Sequence, residues 1–322
     1  MNIQTAFRAP RPTDTENAFA AEVIAGLTTK PKRLPPKYFY DLAGSDLFDR
    51  ITRLPEYYPT RSELALLSKH APAVASLFPT GCALIEFGSG SSRKARIVLH
   101  AAASVAAYVP VDISGDFLQQ DAAQVRRDIP HLAIYPVAAD FTTMTEPPVE
   151  VASMPRVGFF PGSTIGNFEP HEAAAFLRRA ARILGAGSVL VVGVDLVKAP
   201  DILYRAYNDA EGVTAKFNLN LLARINRELS ANFDLAAFEH HAFYNAECNR
   251  IEMHLASTKR QKVRIRNVTI EFRAGETIHT ENSYKYSVDS FQAMAHGSGW
   301  SPLAAWTDGL FSVHALLMTE DR

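Results

Sequence analysis

The chain has 322 residues, 47% hydrophobic and 21% charged, with 33 Lys and Arg against 34 Asp and Glu. That size and balance describe a globular protein with room for two domains, and a formal charge of −1 gives no electrostatic reason to expect nucleic acid or an anionic membrane as partner. Cys82 and Cys248 lack metal or redox spacing and are expected reduced in the core; the first nineteen residues carry no apolar signal core, and no apolar stretch approaches a membrane span, so a cytoplasmic protein is expected.

Taken in chain order, helical periodicity covers 15–28, and the proline-broken run Lys30-Pro-Lys-Arg-Leu-Pro-Pro-Lys37 is irregular. A short helix fits 45–53, and Leu54-Pro-Glu-Tyr-Tyr-Pro-Thr60 reads as an aromatic loop whose tyrosines anchor it to the body. From 61 the pattern becomes regular: helix 61–76, strand 83–87, helix 92–103, strand 107–112, helix 115–127, strand 132–138, strand 156–160, helix 170–184, strand 188–194. Short apolar strands alternating with helices predict a doubly wound α/β domain, with ligands gathering at the C-terminal strand ends. Residues 198–235 read as helical, with Asp201 as a cap and Val213–Leu229 as one helix. Alternating segments over 236–280, with a turn near Asn267, predict antiparallel strands of an inserted α+β domain. Strands near 281–287 and 310–318 are expected to return to the main sheet.

Chemistry concentrates where the strands end. In Glu86-Phe-Gly-Ser-Gly90, Gly88 and Gly90 let the chain turn sharply and let a ligand approach backbone. Asp112 follows 22 residues after Gly90, a spacing suited to a carboxylate gripping two ribose hydroxyls. Arg93 stands where a dinucleotide fingerprint would carry its third glycine, which favours a nucleoside cofactor without a pyrophosphate over a nicotinamide dinucleotide. Glu86 is placed to orient the turn or accept from a cofactor amine. Asp140 and Phe141 pair a carboxylate with a ring, matching an adenine edge and face. The donor-rich loop Gly162-Ser-Thr-Ile-Gly-Asn167 suits a substrate carrying ammonium and carboxylate together, with Asn167 as both donor and acceptor. Tyr207, Glu281 and Ser283 are further candidates that spacing alone does not select. No H-E-x-x-H, Cys/His cluster, P-loop or nucleophile elbow is present, so a metal site and hydrolase chemistry are not expected. A non-catalytic binding protein of the same fold stays open at this point.

Several longer blocks narrow this. Lys37-Tyr-Phe-Tyr-Asp, Leu54-Pro-Glu-Tyr-Tyr-Pro-Thr-Arg61, Glu86-Phe-Gly-Ser-Gly-Ser-Ser-Arg-Lys94, Pro110-Val-Asp112, Gly162-Ser-Thr-Ile-Gly-Asn-Phe168, Ala206-Tyr-Asn-Asp-Ala-Glu-Gly-Val-Thr-Ala-Lys-Phe-Asn218 and Thr280-Glu-Asn-Ser283 resemble those of the S-adenosylmethionine-dependent histidine N-alpha-methyltransferases of ergothioneine biosynthesis. The resemblance runs from about residue 15 to 318. It implies a Rossmann-like class I methyltransferase domain (62–197 and 284–322) and a substrate-recognition domain (1–61 and 198–283). It further implies S-adenosylmethionine as methyl donor, S-adenosylhomocysteine as product, and trimethylhistidine (hercynine) as the end point. A small-molecule amino acid substrate and a monomer are expected, with no nucleic acid, membrane or metal. By position, Tyr57, Gly88, Lys94, Asp112, Asp140 and Phe141 match residues around the donor. Gly162 matches a position near the substrate, Asn167 and Tyr207 its carboxylate end, Tyr40 its reacting amine. Glu281 and Ser283 match residues that recognise the imidazole, with Met253 nearby. The amine must lose a proton before it can attack, and with a terminal amine pKa of about 8 no strong base is required; Tyr40 is expected to hold its lone pair on target.

Overall fold

The computed structural model describes residues 12–319; the first eleven residues, part of the stretch read above for a signal, and the last three lie outside the described residues. The chain opens with α1 (Pro12–Thr28), β1 (Lys32–Arg33), α2 (Leu42–Ile51) and α3 (Tyr58–Ala75). An α/β series follows: β2 (Cys82–Phe87), α4 (Arg93–Ala101), β3 (Val105–Asp112), α5 (Gly115–Asp128), β4 (Ala133–Ile134), β5 (Val137–Ala138), β6 (Arg156–Phe160), α6 (Pro170–Leu184) and β7 (Val189–Asp195). Then come α7 (Pro200–Tyr207), α8 (Val213–Leu229), β8 (Phe238–Asn245), β9 (Arg250–Ser257), β10 (Gln261–Ile265), β11 (Val268–Phe272) and β12 (Thr277–Tyr284). The chain closes with α9 (Val288–His296), β13 (Trp300–Thr307) and β14 (Phe311–Met318). No helix among the described residues is long and apolar enough to cross a membrane.

The main sheet runs β13-β14-β7-β6-β2-β3-β4, with β5 also on β3. Strands β2 to β7 are parallel, and β14 is inserted antiparallel between β7 and β13. This is the Rossmann-like arrangement expected. Because β2 has β3 on one side and β6 on the other, strand order reverses there, and the loops after β2 and β6 part to leave a crevice. Alternation along the buried strands feeds two cores, Ile85 and Phe87 entering one and Leu84 the other.

A second sheet, β1-β12-β9-β8, lies outside this frame. Its core draws on Phe19 to Tyr58 together with Leu203 to Ile278, so the N-terminal segment packs with the insertion; β1 joins it in parallel with β12. The chain leaves the main sheet after Asp195 and returns at Tyr286. The two crossings are zipped by Tyr286 N donating to Asp195 O at 3.1 Å and Val197 N to Tyr286 O at 2.9 Å.

Several expectations need correction. Strand 132–138 is broken into β4 and β5 around Tyr135-Pro136, since proline has no N–H for a ladder. The stretch near 281–287 does not return to the main sheet: β12 pairs with β9 in the insertion, and only the Leu196–Tyr286 bridge reaches back. The main-sheet strand that takes its place is β13, which the sequence hides because it is a half-exposed edge interrupted by Pro302. Asp201 does not cap α7; Ala199 holds that position, Pro200 follows, and Asp201 pairs with Arg205 at 3.1 Å. Cys248 is exposed, and only Cys82 is buried.

Gly193, inside β7, records how tightly the layers meet: a Cβ there would lie 2.0 Å from Glu63 Oε1 and 3.2 Å from Gly162 N. Gly193→Ala is therefore expected to lose about 1–3 kcal/mol in urea denaturation; an unchanged midpoint would show that Glu63 is free to move.

Candidate active site

One cavity of about 470 Å³ opens at the C-terminal strand ends and extends to the insertion. Its first half is built on the turn after β2. Gly88 (φ +70°) and Gly90 (φ +46°) both sit in the left-handed region, where a side chain is strained. A Cβ at Gly88 would come within 3.1 Å of the Phe141 ring, so glycine keeps that ring face open. Asp112 ends β3 and accepts from Gly90 N and Ser114 N, both at 2.9 Å. The 22-residue spacing thus closes as a direct contact. Burial raises the Asp112 carboxyl pKa, with those backbone donors opposing the shift. Asp140 accepts from Thr142 N at 2.9 Å and from Lys37 Nζ at 3.4 Å, so the N-terminal segment covers this end. Phe141 stands edge-on to Phe160 and Phe176 at 5.6 and 5.7 Å. A glycine cradle, a strand-end carboxylate and an aromatic wall fit the ribose and base of an adenosyl group.

Glu63 joins the two halves. It is buried, accepts from Gly162 N with both oxygens at 2.9 Å and pairs with Lys94 Nζ at 2.6 Å. It thereby binds α3 to the first turn of α4 and to the loop after β6, where Gly162 takes φ +85°. Sequence reasoning missed it, because a glutamate on a helix ordinarily reads as a solvated surface residue.

The second half is lined by tyrosines. Tyr40 ends the 3-10 turn Pro36–Phe39, Tyr57 caps α3, and Tyr207 ends α7. Tyr57 and Tyr207 meet at 6.3 Å, while Tyr40 packs on Phe48 and Phe217 at 5.6 and 5.8 Å. Burial drives all three phenols well above their ordinary range, and the Glu281 carboxylate adds to each. Tyr40 shares the cavity lining with Asp112 and Glu281, and Asp112 adds to the rise of its phenol. It keeps its proton at neutral pH, which suits a hydrogen-bonding group better than a general base. Glu281 is pushed up to about 8 by burial, with Lys285 pulling it back. Asn167, at the end of the 3-10 turn Thr164–Asn167, faces the same space. The Tyr207 hydroxyl donates to Ser283 Oγ at 2.7 Å, although the resemblance assigns these residues to opposite ends of a substrate.

All but two of the residues singled out from the sequence line this cavity. Glu86 does not: strand alternation turns it into the face carrying Leu84 and Tyr108. There it is fully buried and takes the Tyr108 hydroxyl's hydrogen bond on one oxygen, leaving the other unpartnered. Burial raises its pKa well above the carboxylate range. Met253 lies opposite Glu281 in the β9–β12 register but is covered by the insertion core. Away from the cavity, Glu252, His254 and His279 come within 4.8 Å. Glu252 is already engaged by Arg250 at 2.7 Å, Asn245 at 2.9 Å and His254 at 3.0 Å. The two imidazoles stack at 4.7 Å and 19°, so their in-plane lone pairs run side by side instead of converging on one ion.

Residues 19–319 match the family described as histidine-specific methyltransferase, SAM-dependent. Histidine N-alpha-methyltransferases of Mycolicibacterium smegmatis and Mycobacterium tuberculosis are each 43% identical to this chain over 300 residues, covering 90% of it and 91% of theirs. Ergothioneine biosynthesis protein 1 of Neurospora crassa is 31% identical over 289 residues, covering 87% of this chain and 32% of that longer protein.

The geometry separates the two acidic candidates of the glycine-turn region. Asp112→Ala is expected to weaken S-adenosylhomocysteine binding by roughly 10- to 100-fold, the worth of hydrogen bonds to a charged group. Glu86→Gln, which changes a buried side chain outside the cavity lining, is expected to bind within about twofold of the unaltered protein. Calorimetric titration checks both, and the reverse order would place the ribose away from Asp112.

Proposed function

This chain belongs to the histidine-specific, S-adenosylmethionine-dependent methyltransferase family, and from that premise we propose that it methylates the α-amino group of L-histidine as far as the trimethylated product, in ergothioneine biosynthesis. The observation that carries the reading is the continuity of one cavity from Asp112 and Phe141, past Tyr40, to Glu281 and Ser283. We read residues 62–197 and 284–322 as the donor-binding domain and 1–61 and 198–283 as the acceptor-recognition domain. The protein is read as a cytoplasmic monomer acting on a small molecule.

S-adenosylmethionine, when bound, supplies an electrophilic methyl carbon. The residues of the chain then have orientation as their task, which is worth most when both reactants share one enclosed site. Gly88, Gly90, Asp112, Asp140 and Phe141 hold the adenosyl group. Glu63 keeps Lys94 and Gly162 in fixed relation between the halves. Asn167, with Tyr207 beside it, takes the carboxylate end, and Glu281 with Ser283 takes the imidazole. Tyr40 hydrogen-bonds the amine so that its lone pair faces the donor. The amine arrives deprotonated from solution, a terminal amine having a pKa of about 8, because the tyrosines around it retain their own protons.

Mass spectrometry of reactions with S-adenosylmethionine and each common amino acid tests the reading. Mono-, di- and trimethylhistidine should accumulate in turn, with no other amino acid modified; unmodified histidine alongside methylation of another amino acid would refute it. A pH series tests the acceptor end. Glu281 is protonated below about 8; its carbonyl oxygen still accepts an imidazole N–H there, but the charge-assisted bond to the carboxylate is stronger. Histidine affinity, measured by calorimetry with S-adenosylhomocysteine bound, should therefore rise from roughly pH 7 to 9. In Glu281→Gln the part of that rise due to the carboxylate should disappear, leaving a shallower one from the substrate amine, which loses its own proton at about 8; a rise unchanged in the variant would take the effect away from Glu281 and leave it with that amine or with Lys198, lowered to about 8.

A further inference from the structure

Lys285 follows β12, and its side chain is wholly buried. Each of its three ammonium protons has an acceptor: Asp195 Oδ2 at 2.8 Å, Ser283 Oγ at 2.6 Å and Tyr207 Oη at 3.2 Å. Tyr207 in turn donates to Ser283 Oγ at 2.7 Å. A hydroxyl oxygen has two lone pairs and one proton. Lys285 and Tyr207 occupy both lone pairs of Ser283, leaving its O–H as the one group it offers the cavity. Two residues earlier on the same strand, Glu281 lines the same cavity with a carboxylate. A hydroxyl restricted to donating, beside a Glu281 that once ionised above about 8 only accepts, reads the hydrogen-bond polarity of a flat ring.

We propose that Lys285 is a positioning residue of the acceptor pocket: by closing a triangle with Ser283 and Tyr207 it makes Ser283 a donor only, so that the pocket selects a neutral azole ring presenting an unprotonated nitrogen to Ser283 and an N–H to Glu281. This rests on the histidine reading above. An imidazolium carries N–H on both nitrogens; one of them would face an oxygen with no free lone pair and, behind it, the Lys285 ammonium. A desolvated site built for one polarity discriminates through the group it leaves unpaired. Without Lys285 the serine regains a lone pair and accepts or donates equally, so the selection is lost. Asp195 retains Tyr58 at 2.7 Å and Lys198 at 2.6 Å, which leaves the surrounding cluster paired in Lys285→Met.

Histidine affinity is measured by calorimetry with S-adenosylhomocysteine bound, in Lys285→Met, Ser283→Ala and the double variant. Lys285→Met should weaken histidine roughly tenfold or more while S-adenosylhomocysteine binds within about twofold of normal. In steady-state rates the loss should fall on KM more than on kcat. Because Lys285 acts through Ser283, its removal should cost less than about twofold once Ser283 is alanine. In the unaltered protein, ¹⁵N NMR of ring-labelled histidine should show one pyrrole-type and one pyridine-type nitrogen, a readout that stands even if Lys285→Met fails to fold. Additive losses, unchanged histidine affinity in Lys285→Met, or two pyrrole-type nitrogens would overturn this inference alone. Failure of the unaltered protein to bind histidine would overturn the acceptor assignment, and this inference with it.

Discussion

A buried carboxylate, Asp195, ties the two halves of this enzyme together. It ends β7 at the edge of the main sheet's crevice and is met by Tyr58 from the N-terminal segment, Lys198 from the outgoing crossing and Lys285 from the returning one. The crossings are zipped beside it by backbone hydrogen bonds. Burying such a cluster carries a desolvation cost that often cancels its attraction, so its contribution to net stability is small. Its contribution is to geometry: three segments converge on one carboxylate, and an arrangement of the crossings that left Asp195 without a cation would strand its charge in the interior, at about 3–5 kcal/mol. The insertion is thereby held in one register over the sheet.

The site inherits that register. Lys285 carries the constraint from Asp195 to Ser283 and Tyr207, while Glu63 carries a second from α3 to Lys94 and Gly162. Cavity-lining groups of the main sheet and of the insertion therefore face one space at fixed separation. The tyrosine lining is dry enough to hold its phenols protonated and to lift Glu281 to about 8. In the function proposed above, the site orients an amine that sheds its proton to solution, and the carboxylate proposed to recognise the ring ionises in the same range.

How much of this was readable in the sequence follows from how local each signal is. The apolar strands other than 132–138, the helix Val213–Leu229 and the two positive-φ glycines are local, and these appear where the residues imply. So is the spacing of Asp112, which closes on Gly90 N. The pairing of β12 with the insertion sheet is long-range, and nothing within Thr277–Tyr284 distinguishes it from a strand of the main sheet. β13 is an exposed edge with little apolar alternation. Glu63, Asp195, Lys198 and Lys285 escaped for a different reason: an isolated charged residue in a sequence reads as surface, and only the fold reveals four of them inside. Glu86 misled in the opposite direction, since it lies beside the glycine turn yet points to the other face of the sheet. The resemblance placed Glu281, Ser283 and Tyr207; spacing did not.

A crystal structure with S-adenosylhomocysteine and histidine bound tests the account most directly. It should place the ribose on Asp112 and the imidazole between Glu281 and Ser283, with the amine beside Tyr40 and the Asp195–Lys285–Ser283 linkage intact. A ring seated away from Glu281 and Ser283, or a Lys285 side chain withdrawn from Asp195 with histidine still in place, would contradict it.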